Sequence, residues 1–182
     1  KNGISEDEVT LVANGAYQTA YASFTSGEVD ATIIHNPYAA LAEAEGVGHI
    51  LGRAWDYIPD YYTGTLIASN DFIENEPEKL QRFVTAYYQV HEEVKNEYFD
   101  EFIDWAAEQM NTTAEIMRTA VESEIDVWLD YPVIPEDRLA ATFEYLKQYG
   151  WGDENVDYKG TYTNEFAQVA ADTLGMTDPE AK

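Results

Sequence analysis

The sequence contains no cysteine and very few basic residues. Its 182 residues include 10 Lys and Arg against 35 Asp and Glu, a formal net charge of −25. The absence of cysteine excludes disulfides, thiolate metal ligands and a cysteine nucleophile. Because no basic stripe is available to offset phosphate repulsion, no nucleic-acid partner is expected. No apolar run approaches the roughly 20 residues that a membrane-spanning helix requires.

The acidic residues are spread along the chain among apolar ones. The apolar fraction of 45% and the aromatic fraction of 14% argue against wholesale disorder. High salt screens the self-repulsion of such a surface, so we interpret it as an adaptation to a halophilic environment. The alternative is an acidic, highly soluble protein from ordinary salt. Because the sequence begins at Lys1, we expect a piece of a longer polypeptide whose targeting segment lies outside it.

The first third of the chain alternates between short β-rich runs and helical patterns. The predicted strands are Glu8–Ala13, Val29–Ile34, His49–Arg53 and, further on, Thr65–Ser69. The predicted helices between them are Ala16–Ser26 and Pro37–Glu45, the first closed by Gly27 in the left-handed conformation. This order favours a largely parallel sheet with helices packed on it.

Beyond about residue 70 the pattern is almost wholly helical. Ser69 or Asn70 can cap a turn of helix at Asp71–Asn75, and Pro77 suits the first position of a helix that reaches about Asn96. Further helices are predicted at Phe99–Met110, Thr113–Glu124, Pro135–Tyr149 and Asn164–Leu174, with Gly150 and Gly175 as C-terminal stops. An α/β part is therefore expected to precede a helical part.

The segment Ser26–Leu41 is the first candidate for ligand binding. It places His35 and Asn36 at the carboxyl end of a predicted strand, with Asn36 as N-cap and Pro37 as first residue of the next helix. Open α/β sheets bind small ligands at such crevices, and helix N-termini favour anions. The alternative is an ordinary helix cap beside a packed imidazole.

The second candidate is an aromatic, non-helical stretch that contains Trp55, Tyr57, Tyr61 and Tyr62. These rings either pack in a core or line a cleft, where they supply apolar walls and a few directed hydrogen bonds.

No catalytic or metal-binding pattern emerges from the sequence. Gly46–Gly52 has the wrong glycine spacing for a dinucleotide loop, and His91 lacks the second histidine of a zinc protease motif and is expected on a solvated face. The acidic run Asp153–Asp157 lacks the spacing and glycine of a calcium loop, which favours a solvated loop over a loose cation site. The sequence therefore favours a binding protein over an enzyme, and neither a cofactor nor a metal is expected.

The order of these elements resembles the solute-binding proteins of ABC importers. The matching pieces are Gly27–Ala31, His35–Tyr38 and Leu66–Pro77, which runs on into Glu78–Tyr87. The resemblance is to the nitrate, sulfonate, taurine and thiamine-pyrimidine branch of the type 2 periplasmic-binding-protein fold. The helical tail, including Phe143–Gly150, is similar to the C-terminal helices of that family.

The resemblance implies a partial α/β fold of the periplasmic-binding-protein-like type, with a small βαβαβ lobe followed by a mostly helical C-terminal part. Residues 1–60 are then expected to be part of the second α/β lobe. Residues 61–182 are expected to hold a return strand and C-terminal helices that pack on the first lobe. Because the first lobe is not in this sequence, that lobe or another chain is an expected partner.

The resemblance further implies reversible capture of a small solute between two lobes and its delivery to a membrane permease. The expected ligand-binding residues are Asn14, Tyr17, His35, Asn36, Tyr38, Trp55, Tyr61 and Tyr62. An anionic solute such as a sulfonate or nitrate suits helix N–H groups, and a neutral or cationic pyrimidine stacked on the aromatic residues is the alternative. The expected location is extracytoplasmic, in the periplasm or at the cell surface, with a membrane tether outside this chain.

Two other classes of function stay open. One is an enzyme on the same fold that acts on a pyrimidine precursor or a small organic acid, with His35 as reactant or general base. The other is an interaction domain that binds no small molecule.

Overall fold

A computed structural model describes residue 3 and residues 5–62, 64–153 and 155–179. The α-helices in these residues are α1 (Tyr17–Thr25), α2 (Tyr38–Ala44), α3 (Ala54–Tyr57), α4 (Asn70–Asn75), α5 (Pro77–Asn96), α6 (Phe99–Gln109), α7 (Ala114–Glu122), α8 (Glu136–Gln148) and α9 (Glu165–Leu174). Short 3₁₀ helices lie at Glu6–Glu8, Ile125–Val127 and Tyr158–Gly160. None of the helices described is long and apolar enough to cross a membrane.

The predicted helices are confirmed, and most of their ends follow the capping residues read from the sequence. The stretch around Trp55 was expected to be non-helical, and this was wrong for Ala54–Tyr57, which forms α3. Gly27 has a φ of +76° and its N–H donates to Phe24 O at 3.1 Å, which closes α1. The Ser69 hydroxyl accepts the Phe72 N–H at 3.2 Å and caps α4. Helix α5 begins at Pro77 and ends at Asn96, as predicted. These helix ends could be predicted because each depends only on residues within one helical turn.

The four predicted strands are not formed within the described residues, where the corresponding segments are irregular. Their apolar side chains are largely exposed: Leu11 and Ile33 are 91% exposed and Ile67 is 92% exposed. A strand exists only when its N–H and C=O groups pair with a neighbouring strand, and a β-rich sequence alone provides no neighbour. The βαβαβ lobe is therefore not confirmed, although the helices expected to alternate with its strands are present.

The chain divides into two compact units. Unit 1 comprises the described residues of Lys1–Leu51 and Ile103–Val127, and unit 2 those of Gly52–Phe102 and Trp128–Lys182. Helix α6 contributes residues to both. The expected assignment of residues 1–60 and 61–182 to two different lobes stays a prediction, because it concerns packing against a first lobe.

Unit 1 has a core built mainly of small side chains. Helix α2 packs on α1 and on α7. The buried apolar residues are Ala20, Ala40, Ala42, Ile103, Ala106, Ala107, Met117, Ala120 and Val121. Because alanine adds little bulk, these helices can pack closely, and Ile103 is the largest completely buried side chain.

Unit 2 is organised around α5, which packs on α9 and α4. Leu80, Val84 and Ala170 are the buried residues of this core. The partly buried side chains packed against them are Phe72, Ile73, Tyr88 and Phe166. Together these contacts occupy one face of α5, and Phe83, Tyr87 and Val90 are exposed on another.

Candidate functional site

Unit 1 brings together Tyr17 and His35, which come shortly after the first two segments predicted as strands. The centroids of their rings are 4.5 Å apart and the ring planes are tilted by 49°. Tyr17 is the first residue of α1 and is 50% exposed, and His35 is exposed as well. The pair, called the Tyr17–His35 platform below, therefore offers two ring surfaces to a solute.

The platform lies at the N-terminus of α1. The N-cap residue Ala16 has an extended backbone, and no side chain caps the helix. The first-turn N–H groups of a helix have no partners within the helix and carry partial positive charge. Half-buried Asn14 lies just before this helical turn. The next residue, Gly15, has a φ of +69°. The arrangement suits an acceptor or anionic group held beside an aromatic surface.

Tyr38 is supported by a side chain that the sequence did not indicate. Its ring centroid lies 5.5 Å from that of Tyr21, whose hydroxyl donates to Glu45 Oε2 at 2.6 Å. Burial, together with the bond to Glu45, raises the pKa of Tyr21 to about 12. Tyr21 is therefore a neutral donor at physiological pH and holds α1 and α2 together beside the platform.

Asn36 does not cap α2, so that prediction was wrong. Helix α2 begins at Tyr38, and its N-cap is Pro37, without a side-chain hydrogen bond. The Asn36 amide nitrogen lies instead 3.1 Å from Ala120 O, 3.2 Å from Ser123 Oγ and 3.1 Å from Glu124 Oε2. Its Oδ1 is buried and has no hydrogen-bond partner.

These contacts fasten the residues before α2 to the end of α7. The side-chain donor hydrogens of Asn36, an expected ligand-binding residue, are therefore engaged inside unit 1. A direct role of Asn36 in ligand binding stays a prediction.

The other three expected ligand-binding residues belong to unit 2. The Arg53 guanidinium lies 5.5 Å from the centroid of the half-buried Trp55 ring. The Tyr62 N–H donates to Thr142 Oγ1 at 2.6 Å, and burial raises the pKa of its phenol. This hydrogen bond attaches the aromatic stretch to α8.

Neighbouring tyrosines of this stretch have structural contacts. The Tyr61 N–H donates to Ile58 O at 3.1 Å, which closes a turn. The ring of exposed Tyr57 covers Gly52, where an added Cβ would lie 2.7 Å from ring atoms. The sequence left two alternatives for the aromatic rings of this stretch, packing in a core or lining a cleft. The ring of Tyr57 packs locally on Gly52.

Unit 2 also holds a polar cluster that the sequence analysis missed. His91 Nε2 lies 3.1 Å from Asp130 Oδ1, and Lys95 Nζ lies 2.7 and 2.6 Å from the two carboxylate oxygens. The side chains of His91 and Lys95 are only 22% and 17% exposed. The expectation of a solvated face for His91 was therefore wrong, because Asp130 and Trp128, remote in sequence, cover it.

The described residues contain no group of three or more His, Asp or Glu side chains that could hold a metal ion. In the acidic run, Asp153 Oδ1 accepts the Asn155 N–H at 2.8 Å and the Asn155 side-chain amide at 3.0 Å. These bonds lower the pKa of Asp153. Glu154, in the same run, lies outside the described residues.

Comparison with known families identifies the class of protein. A model described as "NMT1/THI5 like" matches residues 1–97, more than half of the chain. The chain belongs to this NMT1/THI5-like family, and membership implies the periplasmic-binding-protein-like fold that the order of elements suggested. The matched region includes the Tyr17–His35 platform and continues to the C-terminal end of α5.

Among curated proteins the chain is similar to "Putative binding protein YtlA" of Bacillus subtilis (strain 168). The two are 21% identical over 116 residues, which is 63% of this chain and 35% of that protein. The match thus covers about a third of the relative's length. No solved structure matches the chain at a significant level.

Proposed function

We propose that this chain is part of the extracytoplasmic solute-binding component of an ABC importer and binds a small solute reversibly, without chemical change. The observation that carries the proposal is the exposed Tyr17–His35 platform at the uncapped start of α1. A planar part of the solute packs on the two rings, and first-turn N–H groups hold an anionic group such as a sulfonate, nitrate or carboxylate.

Family membership and the relative's name as a binding protein favour binding over catalysis. Because the match covers about a third of that relative, the solute, the permease partner and the membrane tether belong to the proposal. Asn14 and Tyr38 are the proposed neighbours of the platform, and Trp55, Tyr61 and Tyr62 are proposed further contacts to the solute.

The net charge of −25 opposes an anionic solute at long range, and salt screens this repulsion. We therefore include a high-salt environment in the proposal. An anionic solute should bind more tightly as NaCl is raised, whereas a cationic pyrimidine should bind more weakly. This opposite salt dependence separates the two candidate solute classes in a single titration series.

Calorimetric titration of the protein with methanesulfonate, nitrate and a pyrimidine that carries a quaternary ammonium group, each over a range of NaCl, tests the proposal. Solute recovered after incubation is then analysed by mass spectrometry. Saturable binding with unchanged solute supports the transport function. Conversion of the solute would instead establish the enzyme alternative, with His35 as the first residue to examine.

The chain offers a matched control for the platform. His35→Ala removes one of the two rings, so the affinity should fall about tenfold, equivalent to about 1.4 kcal/mol. His49→Ala changes another exposed histidine of unit 1 and should leave the affinity unchanged. Equal effects of the two substitutions would place the solute elsewhere.

A further inference from the structure

Helix α6 is followed by an asparagine at a position where other helices of this chain are followed by a glycine. Asn111 has a φ of +51° and is the only non-glycine residue with a positive φ among the residues described. Glycines with φ between +66° and +76° follow α1, α2, α8 and α9. In all five turns the N–H of the next residue donates to the carbonyl oxygen five residues earlier, which closes the helix. Backbone strain therefore favours glycine at position 111, yet the chain has a side chain there.

The turn after α6 exposes the first and the last of three polar residues. Asn111 and Thr113 are exposed, whereas the hydroxyl oxygen of Thr112 between them is buried. The backbone of Thr113 is extended, with a φ of −93° and a ψ of 153°, and its hydroxyl accepts the Ile116 N–H at 3.3 Å as the N-cap of α7. The side chains of Asn111 and Thr113 are thus both accessible, and the turn between them is short and well defined.

The side-chain amide of Asn111 is not used by the fold. It has no hydrogen bond within the part of the chain that the structure describes. Amides of other asparagines donate hydrogen bonds inside the protein, namely those of Asn36, Asn75, Asn96, Asn155 and Asn164. The Asn111 amide therefore combines a strained backbone, an exposed position and a nitrogen that no other group of the described residues engages.

Asn111, Thr112 and Thr113 also form the acceptor sequence of N-linked glycosylation, which is asparagine, any residue except proline, and then serine or threonine. The chain has nine asparagines, and only Asn111 has a serine or threonine two residues later. Short motifs occur by chance, so the structural position of this one matters. Here the motif coincides with an exposed turn whose acceptor nitrogen is unengaged.

We propose that Asn111 is a site of N-linked glycosylation. The inference rests on the proposed extracytoplasmic location, because such acceptor sequences are modified in secreted proteins. The donor is an oligosaccharide joined through phosphate to a membrane lipid, and a membrane-bound transferase catalyses the step. A bond forms between Asn111 Nδ2 and C1 of the first sugar, while the bond from C1 to the phosphate oxygen breaks. The lipid phosphate leaves with the bonding electrons, and one Nδ2 proton passes to a base of the transferase.

The fold can carry a glycan at this turn without losing a contact. The Asn111 amide gives up no hydrogen bond within the described residues, and Thr113 still caps α7 because its hydroxyl is not consumed. A lobe that covered the turn would have to supply hydrogen-bond partners for the amide, since burial without them is costly. Such a lobe would also prevent the modification, so the two situations are distinguishable.

Peptide mapping by mass spectrometry of the mature protein, isolated from its source organism, tests the proposal. The peptide that contains Asn111 should carry the additional mass of a glycan, and fragmentation should place that mass on Asn111. The same peptide found only in its unmodified form would overturn the proposal.

Three variants, expressed in the source organism, separate the acceptor role from the structural roles of these residues. Asn111→Gly suits the left-handed backbone but removes the acceptor nitrogen, and Thr113→Asp keeps an N-cap for α7 but destroys the motif. Both should abolish the modification while the circular dichroism of the helices stays unchanged. Thr113→Ser preserves the cap and the motif and should stay modified. Modification of Thr113→Asp, or its loss in Thr113→Ser, would contradict the assignment.

Cell fractionation and titration with methanesulfonate, on the same preparations, distinguish failure of this inference from failure of the proposed function. A protein that lies outside the cytoplasm and binds the solute, but has an unmodified Asn111, would overturn the glycosylation site alone. A protein found in the cytoplasm would overturn both the site and the proposed extracytoplasmic role.

Discussion

Asn36→Asp keeps the shape of the side chain but removes the two hydrogens with which it binds the end of α7. In the native structure the amide nitrogen faces three oxygen atoms, those of Ala120, Ser123 and Glu124, at 3.1–3.2 Å. Two hydrogens satisfy at most two acceptors fully, so the third contact shares a hydrogen. Aspartate at this position would present a carboxylate to these atoms, one of which belongs to the Glu124 carboxylate.

The magnitude follows from these contacts. Asn36→Ala removes about 1 kcal/mol for the neutral bond and about 2 kcal/mol for the bond to the carboxylate. It also removes the buried, unpaired Oδ1, which returns about 1 kcal/mol. The net loss is about 2 kcal/mol. Asn36→Asp adds repulsion from Glu124 of up to about 4 kcal/mol to this loss, so aspartate should destabilise by up to about 6 kcal/mol, as much as three times the loss in alanine.

Urea unfolding, monitored by far-UV circular dichroism, measures the free energy of unfolding of both variants. Amide hydrogen exchange of α7 shows whether the loss of stability is located there. The excess penalty of aspartate should fade as the pH falls towards about 4, because the repulsion raises the pKa of the new carboxyl. Asn75→Asp is the control: the Asn75 amide donates to Asp71 O and Oδ1, but the site is exposed. There the cost should stay below about 1 kcal/mol. Equal stability of Asn36→Asp and Asn36→Ala would refute the reasoning.

Three further outcomes are expected. Gly27→Ala should lower the free energy of unfolding by about 1 kcal/mol because the φ of +76° disfavours a side chain; an unchanged urea midpoint would contradict this. Thr142→Val should cost about 1–2 kcal/mol, because the Tyr62 N–H loses its acceptor, and Thr142→Ser should recover most of it. Burial, with smaller contributions from neighbouring tyrosines, raises the pKa of Tyr88 from 10.0 to about 12. The unfolded phenol therefore loses its proton first, and stability should fall as the pH rises from 10 to 12, less steeply in Tyr88→Phe.

The helices were predictable because the information that defines them is local. Pro77 begins α5, Ser69 caps α4, and glycines with positive φ follow α1 and α9. Each signal acts within about one helical turn, so a reading of the sequence finds it. The segments predicted as strands differ, since their β-rich composition specifies a preference but no pairing partner.

The residues of the candidate site were partly predictable, but the contacts between them were not. The two turns of the Tyr17–His35 platform were each predicted as ligand-binding, but the contact between the two rings was not predicted, and the sheet that would place the turns side by side is not formed in the described residues. The contacts of Asn36 join it to residues 84 to 88 positions later, and no periodicity or motif connects such positions. The link between His91 and Asp130 spans 39 residues and was equally hidden.

The sequence alone determined the family, most of the helix boundaries and the acidic surface, because these depend on local composition, capping residues and the order of elements. Only the tertiary structure decided that Asn36 holds α7 instead of capping α2, that Tyr21 supports Tyr38, and that α5 has a second, open apolar face. These facts depend on which distant segments pack together. Packing is set by the shape and hydrogen bonding of the whole chain, which no local pattern contains.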